Sequence, residues 1–322
     1  MSELHAVRFA NRRGVHLVGM VHEPDTAVRR DVAIVLMPPG VKGRVAPHRL
    51  YVKMAEAFVA QGFWVFRFDA HGLGDSEGTH PEPVLADLYG RIAVGRFIED
   101  THDGLDFVRT TFGVKRFILG GLCGGAITGV LAARDRQDAV GILGLGLPVM
   151  VEGSQVDKYA AMTEGQARSL RRKYLAKLAD PQSWLRLLQL KSDFRLISRT
   201  LRAKKAPTPA VAPAAAPAAT AGAPGPPAAG DNTNPHFAPA MRALLARDVP
   251  LLLLFSEMDR LWWEFEEKYL QRHQADLAAR PGLADIAVVP EANHVFTLDA
   301  WQADMLGRAS AWLDRRFPAR AA

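Results

Sequence analysis

Gly121-Leu122-Cys123-Gly124-Gly125 follows directly on the apolar run Arg116-Phe117-Ile118-Leu119-Gly120 and leads into the small-residue stretch 126–134. Together these residues predict a strand that turns sharply, presents one nucleophile-type side chain and continues as a helix. Such a turn strains its central residue, and the positions two before and two after lie so close to its backbone that a side chain would clash. Gly121 and Gly125 occupy those two positions. A lone cysteine is more often a small inert hydrophobe than a reagent, but the flanking glycines argue for a nucleophile. Cys123 is also the only cysteine of the chain, which excludes an intramolecular disulfide framework and fits a reducing compartment.

Outward from this turn, short apolar β-rich runs alternate with helical stretches, the pattern of an α/β protein with a mostly parallel sheet and helices on both faces. Eight strands are expected: 5–10 and 15–22 as an opening antiparallel pair, then 31–37, 63–68, 116–120, 139–147, 250–255 and 285–289. Helices are expected over 50–61, 97–111, 126–134, 262–279 and 299–317, and order is expected to resume over 237–247. At 322 residues and 48% hydrophobic content, the chain can bury a sizeable core. The N-terminus lacks a basic segment followed by an apolar one, and no apolar run approaches the ~20 residues that span a bilayer. A cytoplasmic protein is therefore expected.

The alternation breaks at Pro148. Residues 168–205 hold twelve Lys or Arg against two Asp, a surplus of ten in a chain of net charge +6, so everything else sums to −4. The basic character belongs to one segment. From 206 the chain is almost wholly Ala and Pro, the composition of a semi-extended linker with no core of its own. The predicted organisation is a core over 1–148 and 236–322, interrupted by a basic helical cap over 149–205 and a linker over 206–235. The basic stretch suits an anionic substrate, an acyl carrier protein or an anionic membrane surface. It lacks the interleaved aromatics that stack on nucleic-acid bases, so no nucleic acid is expected.

The elbow resembles that of α/β-hydrolases, in which the catalytic groups follow in the order nucleophile, acid, base. Here the strand over 250–255 runs into Ser256-Glu257-Met258-Asp259, and the last strand into Pro290-Glu291-Ala292-Asn293-His294. Cys123, Asp259 and His294 thus follow three strands in that order, at the sheet edge where open α/β folds build their sites. His294 would take the thiol proton and Asp259 would orient the imidazole. Glu257 is the alternate acid, and an Asp just after a strand is often only a helix N-cap. Acyl chemistry also needs an oxyanion hole. The backbone N–H of Gly124 is the first expected donor. The second comes from Pro38-Pro39-Gly40-Val41, where Pro39 has no N–H, which leaves Val41 first and Gly40 second. Arg44, His48 and Arg49 flank this loop and could meet a substrate carboxylate or phosphate. His71, Asp75, His102 and Asp103 match no metal-ligand spacing, and no phosphate-cradling glycine motif follows a strand. Neither a metal nor a cofactor is expected.

The chain further resembles α/β-hydrolases of the serine aminopeptidase-like type. The carriers are Gly121-Leu122-Cys123, the loop from Arg67-Phe68-Asp69 to Gly78, Pro47-His48-Arg49 ahead of a helix, and Glu291-Ala292-Asn293-His294. Within that type it looks most like the exosortase A system-associated hydrolase 1 family, whose members carry a Gly-Leu-Cys elbow and a basic cap. It departs from that family in Gly124, where an acidic residue is usual, and in its Pro-Pro-Gly loop. The resemblance implies an α/β-hydrolase fold and a hydrolase acting through an acyl-thioester on an ester, thioester or activated acyl substrate. An acyltransferase to an amine or alcohol, or a binding protein on the same scaffold, would share these residues.

Overall fold

A computed structural model describes residues 3–154 and 231–319 except 26 and 28, together with 163 and 165. Eight strands form one sheet: β1 (Glu3–Ala10), β2 (His16–Glu23), β3 (Val32–Leu36), β4 (Trp64–Phe68), β5 (Arg116–Leu122), β6 (Ala139–Leu145), β7 (Leu251–Ser256) and β8 (Ala284–Val289). Their order across the sheet is β1-β2-β4-β3-β5-β6-β7-β8. β1 pairs antiparallel with β2, and β2 antiparallel with β4; every other pairing is parallel. This is the expected α/β-hydrolase fold. Strands β3, β4 and β7 bury every residue, because helices cover both faces of a parallel sheet.

Those helices are α1 (Leu50–Ala60), α2 (Leu85–Ala93), α3 (Ile98–Phe112), α4 (Gly124–Arg134), α5 (Phe237–Ala246), α6 (Arg260–Phe265), α7 (Gln274–Ala278) and α8 (Asp299–Arg316), numbered among the described residues. Two differ from the sequence reading. The continuous helix expected over 262–279 is broken: a π-turn over Glu266–Leu270 follows α6, and the chain restarts at α7 after His273, whose ring stacks on Tyr269. Helix α2 was not expected at all. None of the helices among the described residues is long and apolar enough to cross a membrane. The described residues among 3–154 and 233–319 belong to one compact unit, within which Met150 bridges to Thr233. The predicted cap over 149–205 and linker over 206–235 lie outside the described residues, apart from their ends.

One buried tyrosine fastens the elbow to the sheet. The Tyr51 hydroxyl donates to the Met37 carbonyl at 2.8 Å and accepts the Leu122 N–H at 2.6 Å, joining the end of β3 to the end of β5 from a fully buried position. Removing that oxygen strands a buried donor and a buried acceptor, each at about 1–3 kcal/mol. Tyr51→Phe is therefore expected to lower unfolding stability by about 2–6 kcal/mol, read as a lower urea midpoint at unchanged slope.

Candidate active site

The C-terminal edge of the parallel strands carries the site. Cys123 sits between β5 and α4 at φ 54°, ψ −112°, a conformation held only where the surroundings over-determine it. The surroundings can be named. A Cβ on Gly121 would lie 2.6 Å from the Tyr51 hydroxyl and 2.9 Å from the Met37 carbonyl, and one on Gly125 only 2.4 Å from that same carbonyl. Both glycines are required by close approach. The Cys123 N–H donates to the Leu145 carbonyl at 2.8 Å, tying the turn to β6. The thiol itself is half-buried.

His294 reaches the elbow from the loop after β8. Fully buried Ala292 and Phe296 anchor that loop, and the Gln302 amide donates to the Phe296 carbonyl at 2.7 Å. His294 Nδ1–H donates to Asp259 Oδ2 at 2.6 Å, and Cys123 is close enough to interact with the same imidazole. Burial by itself would lower the imidazole's pKa; the hydrogen bond to Asp259 and the neighbouring Cys123 sulfur, with the charge attraction of both, override it and push His294 up to about 10. Asp259 does two things at once. Its Oδ2 takes the imidazole while Oδ1 accepts the Leu261 N–H at 3.2 Å and caps α6, so the N-cap and triad readings of this residue are compatible. Glu257 is elsewhere: its Oε2 accepts the Glu291 N–H at 2.8 Å, which steadies the backbone ahead of His294 at a residue with φ 57°. Gly146, which the sequence reading overlooked, closes the site from β6, where a Cβ would meet Asp259 Oδ2 at 3.4 Å and His294 Nδ1 at 3.6 Å.

The oxyanion-loop candidates lie against the elbow. A Cβ on Gly124 would come within 2.6 Å of both the nitrogen and the Cα of Gly40. A side chain at 124 therefore could not fit without displacing the 38–41 loop. Lys42 N–H donates to the Pro39 carbonyl at 3.3 Å, making that loop a turn. The N–H groups of Gly124, Gly40 and Val41 donate to no acceptor among the described residues, which leaves them available to a ligand.

The three flanking bases behave differently. Arg44 is held by two carboxylates: it pairs with fully buried Asp69 and donates to Asp75 Oδ2 at 2.7 Å. Its task is to clamp the 69–78 loop onto the 40–44 loop. His48 and Arg49 are exposed and carry left-handed backbone at φ 54° and 57°. His48 lines an open cleft of about 540 Å³ together with Lys42, Val45 and Ala46; Cys123 is not in its wall. His71, Asp75, His102 and Asp103 do not converge: His71 is hydrogen-bonded to buried Asp100 at 2.6 Å, His102 to the Ala132 carbonyl at 3.0 Å, and Asp103 accepts the Arg12 N–H at 2.8 Å.

The family model of the serine aminopeptidases, S33, matches residues 33–205, more than half of the chain. The chain belongs to this family of hydrolases. Its elbow nevertheless holds cysteine, in a family named for serine. No curated protein matches the sequence. Among solved structures, an esterase of Pyrococcus furiosus is 17% identical with a TM-score of 0.57, the match covering 98% of this chain and 92% of that one. DcsB, solved in complex with its substrate analogue, is 14% identical at TM-score 0.56, over 98% of this chain and all of that one. Xanthomonas campestris XC6422, a serine hydrolase without a lid, is 16% identical at TM-score 0.54, over 99% and 97% of the two chains. At these identities the likeness establishes the fold.

Proposed function

We propose that this protein is an esterase- or thioesterase-like hydrolase that works through an acyl-thioester on Cys123. The observation that carries the reading is the Asp259–His294 hydrogen bond placed beside the strained elbow at Cys123, whose sulfur raises the pKa of the same imidazole. In the first half-reaction the thiol proton already rests on His294, whose pKa is held up to about 10, and the thiolate sulfur attacks the acyl carbonyl, whose π pair moves onto oxygen. When the tetrahedral adduct collapses, the bond to the leaving group breaks and imidazolium returns the proton to that group. In the second half the now neutral His294 takes a proton from water, the hydroxyl oxygen attacks the thioester, and the sulfur leaves with its bonding pair as thiolate beside the imidazolium. Asp259 holds one tautomer and steadies the imidazolium throughout. The Gly124 N–H and one from the Gly40–Val41 turn stabilise the oxyanion. Gly-Leu-Cys at the elbow and the basic run over 168–205 also support placing the chain with the exosortase A system-associated hydrolase 1 family.

Turnover of a panel of p-nitrophenyl esters and acyl thioesters tests the reading. Release of leaving group should be abolished by prior alkylation of Cys123 with iodoacetamide, and bound acyl substrate should slow that alkylation. Full turnover by the alkylated protein would refute it.

A further inference from the structure

Helix α2 (Leu85–Ala93) brings two side chains to the elbow at the i, i+3 spacing that puts both on one helix face. Ile92 Cγ2 lies 3.1 Å from where a Gly124 Cβ would stand, and Tyr89 lies over Gly40, with Cε1 2.7 Å and Cζ 3.6 Å from a Cβ built there. Gly40 and Gly124 themselves touch across the same small space. The phenol end of Tyr89 is therefore packed onto the very turn that carries the loop donors. Its hydroxyl makes no hydrogen bond among the described residues, in contrast to Tyr51, whose hydroxyl is fully engaged in fastening strands. The Tyr89 ring is only half-buried, so the hydroxyl end can meet a ligand.

We propose that the Tyr89 hydroxyl is a further oxyanion donor, completing a three-donor site with the N–H of Gly124 and one N–H of the Gly40–Val41 turn. This rests on Cys123 being the nucleophile. As the Cys123 sulfur bonds to the acyl carbon and the carbonyl π pair moves onto oxygen, the phenol donates a hydrogen bond to that oxygen and keeps its proton. When the adduct collapses, the pair returns and the bond relaxes. Partial burial and the charge on Cys123 both raise the phenol's pKa above its ordinary value of 10.0. The group thus remains a protonated donor wherever the enzyme works. Its place on α2 also gives a reason for Gly40: any side chain there would run into the ring. A small residue at 40 lets the phenol come down to backbone level.

Tyr89→Phe removes the one atom at issue and keeps the ring against Gly40. Loss of a single oxyanion donor costs about 10²–10³ in kcat; for a donor that shares the charge with two backbone groups, a fall of about 10- to 100-fold in kcat for a p-nitrophenyl ester is expected, with KM within about twofold. Alkylation of Cys123 by iodoacetamide is the control, because displacement at a saturated carbon creates no oxyanion. Its rate should be unchanged in Tyr89→Phe. Unchanged kcat, or alkylation and turnover falling together, would overturn the proposal, the second because it signals a disturbed site. Cys123→Ala assayed alongside separates the two ideas: if it retained turnover, the nucleophile assignment would fail, whereas an inactive Cys123→Ala with a fully active Tyr89→Phe sinks only the tyrosine.

Discussion

Cys123→Ala should fold as the parent does and lose about four to six orders of magnitude in kcat for ester hydrolysis, the usual penalty for deleting a member of a catalytic triad. Folding should survive for a local reason. What holds the elbow is the pair of close approaches at Gly121 and Gly125 and the Tyr51 hydrogen bonds, none of which involves the sulfur. Alanine must accept φ 54° at this position, as cysteine already does, so the backbone strain is not increased. Circular dichroism and the urea midpoint should therefore match the parent while turnover disappears. Cys123→Ser would report on the choice of sulfur: the imidazole must then deprotonate a far weaker acid, and the rate should fall although every contact is kept.

The second large effect concerns Asp259. Asp259→Asn keeps the volume but removes the charge that fixes the His294 tautomer, and a loss of about 10³–10⁴ in kcat is expected. Glu257→Gln, which alters only the carboxylate that accepts the Glu291 N–H, should stay within a few-fold of the parent. The pH profile gives an independent reading. His294 is held up to about 10, so the imidazolium needed to protonate a leaving group persists to high pH, and the alkaline limb of kcat/KM should fall near 10. In Asp259→Asn the raising hydrogen bond is lost and that limb should move down, toward the ordinary histidine value of about 6.5. The sign for stability follows in the same way. A histidine raised on folding contributes stability that is fully present below about 6.5 and is lost as pH rises through about 10. The thermal midpoint of the parent should therefore fall over that window, and fall less in Asp259→Asn. An unmoved alkaline limb in Asp259→Asn would remove Asp259 from the site.

Why the elbow was legible in the sequence is now clear in atoms. Gly121 and Gly125 are where they are because a Cβ at either would strike the Met37 carbonyl or the Tyr51 hydroxyl, and such exclusions leave a mark in composition. Asp259 and His294 were legible because each follows its own strand, β7 and β8, with only a short loop between. The choice between Asp259 and Glu257 was not: both follow β7, and only the turn at Glu291 decides which carboxylate meets the imidazole. Arg44 read as a substrate ligand because its partner Asp69 lies 25 residues away, and long-range ion pairs leave no local trace. Helix α2 escaped notice behind Pro81 and Pro83, which read as loop, and with it went Tyr89. The Leu88 and Ile92 spacing, i and i+4, was the available signal.

Mass spectrometry of the acid-quenched protein, taken milliseconds to seconds after mixing with a slowly hydrolysed acyl thioester, addresses the nucleophile most directly. The expected result is a single added acyl group on the peptide containing Cys123, released by neutral hydroxylamine, formed no faster than leaving group appears and absent in Cys123→Ala. An acyl group on a serine or another residue, or steady turnover with Cys123 unmodified throughout, would contradict the assignment.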